Sequence, residues 1–175
     1  GGYVIDNSLR LRSSASAYLS RTFGSGNRKT YTLSFWIKRG ALGRMNFFNP
    51  GDNATFGGLS ITANNTIEIN NRVGGTNAVL ETAQLFRDPS AWYHLVWNVD
   101  TTQATASNRS SLYVNGVKVT AFSTEQYPAQ NADTNINSAV VHWIGRFWES
   151  GFEYPFDGYL AEVNFIDGQA LTPSS

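Results

Sequence analysis

Three acidic side chains near the C-terminal end of the chain have the residue types that acid–base chemistry could use. Glu149, Glu153 and Asp157 are spaced four residues apart, and Gly151 lies between the first two in a predicted loop. Retaining hydrolysis of a glycosidic bond needs two carboxyl groups about 5 Å apart. A loop cluster could do such work, but solvated loop acids or a metal site are the favoured interpretation.

Aromatic side chains crowd the same segment and indicate a different kind of chemistry. Aromatic rings stack on the CH faces of sugars, while Asn, Asp and Arg bind the hydroxyl groups. The candidate ligand-binding residues here are Trp148, Phe152, Tyr154, Arg146 and Glu149, with Phe156 beside them. A second set of suitable types, in a predicted loop over 39–57, is Met45, Phe47, Phe48 and Asn49. A subunit interface or a seal over the core would use the same residue types.

The composition excludes several classes of function. The 175 residues carry 13 Lys and Arg against 13 Asp and Glu, and only 15% of residues are charged. That balance excludes charge-driven nucleic-acid binding and a polybasic membrane anchor. The absence of Cys excludes disulfides, thiol catalysis and cysteine-bound zinc, and no run approaches the ~20 apolar residues of a membrane span. We expect one domain over 1–175, within a longer or processed chain because residue 1 is Gly.

Short alternating segments between turn signals predict an all-β fold. The clearest strand is 31–38, the most apolar is 92–99, and Asn115-Gly116 predicts a two-residue hairpin turn within 111–119. Further strands are expected at 9–11, 17–20, 59–62, 66–70, 140–146 and 159–166. Loops are expected at 24–29, 39–57, 71–78, 100–109, 123–138 and 148–157.

The alternation of polar and apolar residues predicts whether each strand tryptophan or histidine faces the core or the solvent. Trp36 shares a strand face with polar residues, so we expect it to face solvent or a groove and to be a further ligand-binding candidate. The other strand tryptophans are expected in the core: Trp92, Trp97 and Trp143. His94 and His142 also lie in predicted strands, where a hydrogen-bonded sheet histidine is favoured over a metal ligand or catalytic base.

Five segments carry a family resemblance, in a fixed order: 32–40 (TLSFWIKRG), 92–100 (WYHLVWNVD), 111–119 (SLYVNGVKV), 144–146 (IGR) and 156–165 (FDGYLAEVNF). Together they resemble the laminin-G-like, concanavalin A-like jelly-roll superfamily. The resemblance covers nearly the whole chain and implies an antiparallel two-sheet β-sandwich. Sugar-hydrolysing members carry a Glu-x-Asp-x-x-Glu strand pattern, and none of the six Glu residues here begins it. We therefore expect no enzymatic activity, with an atypical hydrolase as a minor alternative.

The same resemblance implies a loop-bound calcium ion as one alternative, because many relatives bind Ca²⁺ at one edge of the sandwich. Calcium takes six to eight oxygen ligands, which loop Asp and Asn side chains supply. The candidates are Asp100, Asn108, Asp133 and Asp157, with Asn135 nearby. The competing interpretation is that these residues cap turns without any metal.

The amino-acid sequences of longer segments, such as SSASAYLSRTF at 13–23 and FDGYLAEVNFIDGQALTPSS at 156–175, resemble those of laminin-G-like virion proteins of marine bacteriophages. That resemblance implies a location on the outer surface of a phage particle, in many copies. Two functions follow as hypotheses: non-catalytic binding of host cell-surface glycan, or decoration and assembly through contacts with neighbouring virion subunits.

Overall fold

Two antiparallel sheets pack against each other in the computed structural model, which describes residues 3–51, 57–73, 76–147 and 154–175. The six-stranded sheet has the order β1-β13-β3-β8-β9-β10, and the seven-stranded sheet the order β11-β7-β6-β5-β4-β12-β2. The strands are β1 (Leu9–Leu11), β2 (Leu19–Thr22), β3 (Thr30–Arg39), β4 (Met45–Pro50), β5 (Gly58–Ile61), β6 (Ile67–Asn70), β7 (Val79–Thr82), β8 (Trp92–Asp100), β9 (Ser110–Val114), β10 (Val117–Lys118), β11 (Phe122–Glu125), β12 (Val141–Ile144) and β13 (Gly158–Asp167). This is the β-sandwich that the sequence predicts.

The core lies between the sheets and consists of the inward residues of alternating strands. In β3 every second side chain is buried, as predicted: Tyr31, Leu33, Phe35 and Ile37 are at most 2% exposed. β8 lies between β3 and β9, which explains its apolar character. Trp97 is fully buried, and its indole Nε1 donates to the Ser110 hydroxyl at 3.1 Å. Trp97 therefore belongs to the core, as predicted.

The predicted hairpin is confirmed. Asn115 and Gly116 join β9 to β10 with φ angles of 50° and 82°. Both angles are positive, as a type I′ turn requires, and Asn-Gly is the pair that tolerates them best.

The predicted loop over 39–57 is wrong, because β4 runs through it. The pairing of β4 with β5 shifts between Asn46 and Phe48, so Phe47 is an extra residue in the ladder. This bulge turns both Phe47 and Phe48 towards the core and removes the period of two from the sequence. Two further strands, β7 and β11, were also not predicted from the sequence.

The strands and the segments that join them, rather than α-helices, position the side chains discussed below. The helical turns in the described residues are two short 3₁₀ turns, Ser13–Ala15 and Ala106–Asn108. Across the described ranges, no helix has the length and apolar character needed to cross a membrane.

Candidate functional site

A pocket of about 160 Å³ lies on the outer face of the seven-stranded sheet. It forms because β4, β5 and β6 turn apolar side chains inward and leave small polar ones outside. We call it the sheet pocket. It is lined by Arg44, Asn46, Asn49, Gly57, Gly58, Ser60, Glu68, Asn70 and Phe147.

Two amide groups of the sheet pocket have hydrogen-bonding capacity that the described protein does not use. Asn46 is only 3% exposed, and its Nδ2 has no hydrogen-bond partner among the described residues. The Oδ1 of Asn70 is likewise buried and unpartnered. A buried polar atom without a partner costs roughly 1–3 kcal/mol. One donor and one acceptor beside this pocket thus have no partner among the described residues.

Two carboxylates lie side by side on the same face. Glu68 of β6 and Glu81 of β7 are register partners. The pKa of Glu68 is raised, first by burial and also by the charge of Glu81, while Arg44 acts in the opposite direction. Glu81 accepts a hydrogen bond from the Thr66 hydroxyl at 2.5 Å. A search for carboxylates along single strands misses this pair because it forms between strands.

An aromatic surface continues the pocket towards β12 and β2. Trp143 pairs with Asn49, so its ring lies on the same outer face. The Arg146 guanidinium lies 5.2 Å from the Trp143 ring centroid and 4.5 Å from that of Tyr18. Trp143 is therefore an outer-face residue, and its prediction as a core residue is wrong. Trp92 is also misassigned, since it pairs with Lys38 on the outer face of the other sheet.

Part of the predicted aromatic cluster lies outside the described residues: Trp148, Glu149, Phe152 and Glu153. The residues on either side of that stretch reach the sheet pocket. The Asn49 Nδ2 donates to the Arg146 carbonyl at 3.4 Å, and the Asn46 N–H donates to the Tyr154 carbonyl at 3.0 Å. The Arg44 guanidinium lies 4.7 Å from the Tyr154 ring centroid. The structure thus brings Arg146 and Tyr154 to the edge of the sheet pocket, whereas Phe156, also predicted beside the cluster, is buried in the core.

Most of the residues predicted to contact a ligand from the 39–57 loop belong to the core instead. Met45, Phe47 and Phe48 are at most 4% exposed and belong to the core, so they are not ligand-binding loop residues. Asn49 alone of that set lines the pocket. The polar strand residues Asn46, Ser60 and Asn70 were not predicted as site residues. Because the segment that forms β4 was predicted to be a loop, nothing indicated that these three residues share one face of a sheet.

Trp36 lies away from the sheet pocket, on the outer face of the six-stranded sheet. As predicted, it points outward with its polar strand neighbours. Its ring centroid is 4.8 Å from that of its register partner His94, and 5.2 Å from that of Tyr3. The Ser34 hydroxyl and the His94 Nε2 are hydrogen-bonded at 3.0 Å. His94 is therefore the hydrogen-bonded sheet histidine that was predicted.

His142 is also hydrogen-bonded, at both ring nitrogens. The Asn137 N–H donates to Nε2 at 3.1 Å, so Nδ1 carries the proton and faces the Val140 carbonyl at 3.0 Å. Burial lowers the pKa of His142 to about 4. This ring is a neutral structural group.

The four calcium candidates do not share one place in the fold. Asp100 is next to Thr30 at the start of β3, whereas the Asp157 carbonyl accepts from Gly40 just after its end. The ten residues of β3 put roughly 30 Å between these two sites. Asn108 lies in a 3₁₀ turn, and the Asp133 carbonyl accepts from Arg28.

Two of these carboxylates already have partners within the protein. Asp100 accepts from the N–H and hydroxyl of Thr102 and from the side chain of Gln103, which is the turn-capping alternative. Asp157 accepts from Arg10 at 2.7 Å and from Ser13. Burial alone would raise the pKa of Asp157, but these hydrogen bonds lower it overall. The described ranges hold no cluster of three His, Cys, Asp or Glu side chains placed for a metal ion.

Comparison with solved structures supports the fold. The mouse laminin α1 chain, domains LG4-5, is similar with a TM-score of 0.68 at 14% identity, covering 99% of this chain and 45% of that one. A heptameric SAP-like pentraxin from Limulus polyphemus has a TM-score of 0.61 at 18% identity, covering 89% and 71%. The CBM40 domain of the IT-sialidase from Ruminococcus gnavus has a TM-score of 0.58 at 13% identity, covering 91% and 95%.

The family follows from a match at the level of sequence. A search of curated protein sequences finds no significant match. A model of the concanavalin A-like lectin/glucanases superfamily, however, matches residues 12–175. The match spans most of the chain, and the two-sheet sandwich agrees with it. The chain therefore belongs to the concanavalin A-like lectin/glucanases superfamily.

Proposed function

We propose that this domain binds carbohydrate without transforming it, and that the sheet pocket is the binding site. The observation that carries the proposal is the pair of unpartnered groups there, the Asn46 Nδ2 donor and the Asn70 Oδ1 acceptor. A sugar hydroxyl can donate and accept at once, so a polyol satisfies both. An apolar ligand would leave both groups unpaired.

The surroundings of the pocket suit the same ligand. Glu68 and Arg44 add a charged acceptor and a charged donor at the rim. The rings of Trp143 and Tyr18, 5.3 Å apart, offer apolar surface for the CH groups of a neighbouring sugar unit. The pocket volume of about 160 Å³ favours one or two sugar units of a longer chain. Among the similar structures, CBM40 is by its name a carbohydrate-binding module of a sialidase, and this supports the proposal.

The domain would serve, in this proposal, as a module on the surface of a bacteriophage virion that recognises glycan on the host cell. The support is the resemblance of segments 13–23 and 156–175 to virion proteins. Weak individual sites would then act together through many copies on one particle. Decoration or assembly of the virion, through contacts with neighbouring subunits, is the competing proposal. Immunogold labelling of intact particles tests the location, and labelling absent from the particle would contradict it.

A second function, glycoside hydrolysis, is favoured by one observation. Glu68 and Glu81 face each other across two strands, and the raised pKa of Glu68 suits a general acid. The hydrogen bond from Thr66 to Glu81 keeps the second carboxylate engaged. Release of reducing sugar from a bound glycan, abolished by Glu68→Gln, would establish hydrolysis. Binding without release, in wild type and variant alike, supports the binding module.

A glycan array followed by calorimetry tests the binding proposal. The variants are Asn46→Ala and Asn70→Ala, and Asn64→Ala in an exposed turn is the matched control. One lost hydrogen bond of about 1–1.5 kcal/mol weakens binding by roughly tenfold. We expect that loss for both pocket variants and no change for the control. Equal affinity in all four proteins, with thermal unfolding showing them folded, would refute the site.

A further inference from the structure

A second aromatic surface lies on the opposite side of the sandwich, on the outer face of the six-stranded sheet. Trp36 occupies the middle of this face, and His94 of the adjacent strand extends it. Glu162 of β13 lies at its edge. None of these residues lines the sheet pocket, so this surface is independent of the function proposed above.

The surface is occupied by Tyr3, a residue that precedes the first strand. The Tyr3 ring stacks on Trp36 almost in parallel, with 9° between the ring planes and 5.2 Å between centroids. The Tyr3 hydroxyl donates to the Glu162 Oε2 at 2.5 Å. Tyr3 is nevertheless 64% exposed and precedes the first strand, so few other contacts retain it.

The position of Glu162 depends on an irregularity of β13. The pairing of β13 with β3 shifts between Ala161 and Asn164, and Glu162 has a φ of 51°. A residue other than Gly in this left-handed region is strained, and bulges of this kind re-aim side chains beside functional sites. At this bulge the Glu162 carboxylate accepts a hydrogen bond from the Tyr3 hydroxyl, and the Tyr3 ring stacks on the Trp36 indole.

The contacts of Tyr3 reproduce those that a bound sugar would make. A pyranose lays a CH face on an indole and donates a hydroxyl hydrogen to a carboxylate. Tyr3 does both, with an aromatic ring in place of the sugar ring. We propose that Trp36, His94 and Glu162 form a second carbohydrate site for a neutral pyranoside, and that Tyr3 is its displaceable internal occupant.

A neutral ligand fits better than an acidic one. Glu162 is a carboxylate at the point of hydrogen bonding, and the charge of Asp6 also acts on the Tyr3 hydroxyl. Uronic and sialic acids would meet both negative charges. A neutral pyranoside meets neither obstacle and has hydroxyl hydrogens to donate.

Removal of the occupant tests the proposal. An aromatic pair is worth about 0.5–1.5 kcal/mol beyond area burial, so its competition weakens an external ligand by roughly 2- to 12-fold. We would titrate neutral hexasaccharides (cellohexaose, xylohexaose and laminarihexaose) into Tyr3→Ala and its parent by calorimetry. Both proteins carry Asn46→Ala, which weakens the sheet pocket equally in the two, so that it cancels from their comparison. We expect Tyr3→Ala to bind at least one of these sugars more tightly by that factor, with Tyr3→Phe intermediate.

Two further variants show whether the gain belongs to this surface. Added to Tyr3→Ala, Trp36→Ala should abolish the gained binding. Glu162→Gln, which preserves the size of the side chain, should reduce it severalfold. Equal affinity of Tyr3→Ala and its parent, a gain insensitive to Glu162→Gln, or no binding of any hexasaccharide would each overturn the proposal. Because every protein compared carries the same Asn46→Ala change, and Tyr3, Trp36 and Glu162 do not line the sheet pocket, these outcomes are independent of the fate of the proposed function.

Discussion

Protonation of His142 should destabilise the sandwich as the pH falls from neutrality towards 4. The ring is 2% exposed and stacks on Phe23 with centroids 4.1 Å apart. Its Nε2 already accepts the Asn137 N–H, so a second proton there would confront another donor. The folded protein therefore disfavours the charged imidazolium, whereas in the unfolded chain the charged ring is hydrated by water.

The pKa of His142 gives the size of the effect. Burial lowers it from 6.5 to about 4, while the Val140 carbonyl acts in the opposite direction. A depressed folded-state pKa means that the unfolded chain binds the proton first. The contribution to stability is thus present above pH 6.5 and is lost as the pH falls. At 1.36 kcal/mol per unit of pKa, the full loss is about 3 kcal/mol, of which about 2 kcal/mol is reached by pH 5.

Urea unfolding at several pH values, for wild type and His142→Gln, measures this effect. Asp157 and Asp100 also have lowered pKa values and lose stabilising contacts in acid. Both proteins share those losses, so the difference between the two curves isolates His142. We expect His142→Gln to be less stable at pH 7 and the gap to narrow by about 2 kcal/mol by pH 5. A constant gap, or an NMR titration of His142 near 6.5, would refute the reasoning.

Three further predictions concern the fold and the pocket. Arg10→Ala removes the ion pair with Asp157; since both side chains are partly exposed, we expect about 1 kcal/mol in urea unfolding, reduced in high salt. Gly116→Ala should cost about 1 kcal/mol because its φ of 82° is strained but the new Cβ meets no other atom, whereas Gly58→Ala would also drive Cβ into the Phe48 carbonyl oxygen and should cost several times more; equal losses would contradict this. Sugar binding should strengthen as the pH rises through the raised pKa of Glu68, because the ionised carboxylate accepts ligand hydroxyls, and Glu68→Gln should flatten that profile; a profile unchanged by Glu68→Gln would contradict it.

The strands that alternate regularly could be predicted from the sequence. β3 has a strict period of two, and the Asn115-Gly116 turn specifies its hairpin by local chemistry alone. β4 could not be predicted in this way, because a bulge decided by pairing with β5 turns two consecutive Phe residues inward. Register between strands is a property of the folded sheet, and a local pattern does not contain it.

The candidate site also contains residues that could be predicted from the sequence and residues that could not. The aromatic and Arg types around 146–154 drew attention to one edge of the pocket, and Arg146 and Tyr154 do lie there. The two groups that carry the proposed binding come from β4 and β6, and only the pairing of both strands with β5 brings Asn46 and Asn70 to one surface. Small polar residues in strands otherwise look like ordinary solvent-facing positions.

Amide NMR during titration with a glycan selected on the array tests the central claim most directly. The side-chain amide of Asn46 and the indole N–H of Trp143 report on the sheet pocket, and the buried indole of Trp97 serves as an internal control. We predict saturable shifts at Asn46 and Trp143 and none at Trp97. Shifts confined to the six-stranded sheet, with Asn46 and Trp143 unmoved at saturation, would contradict the account.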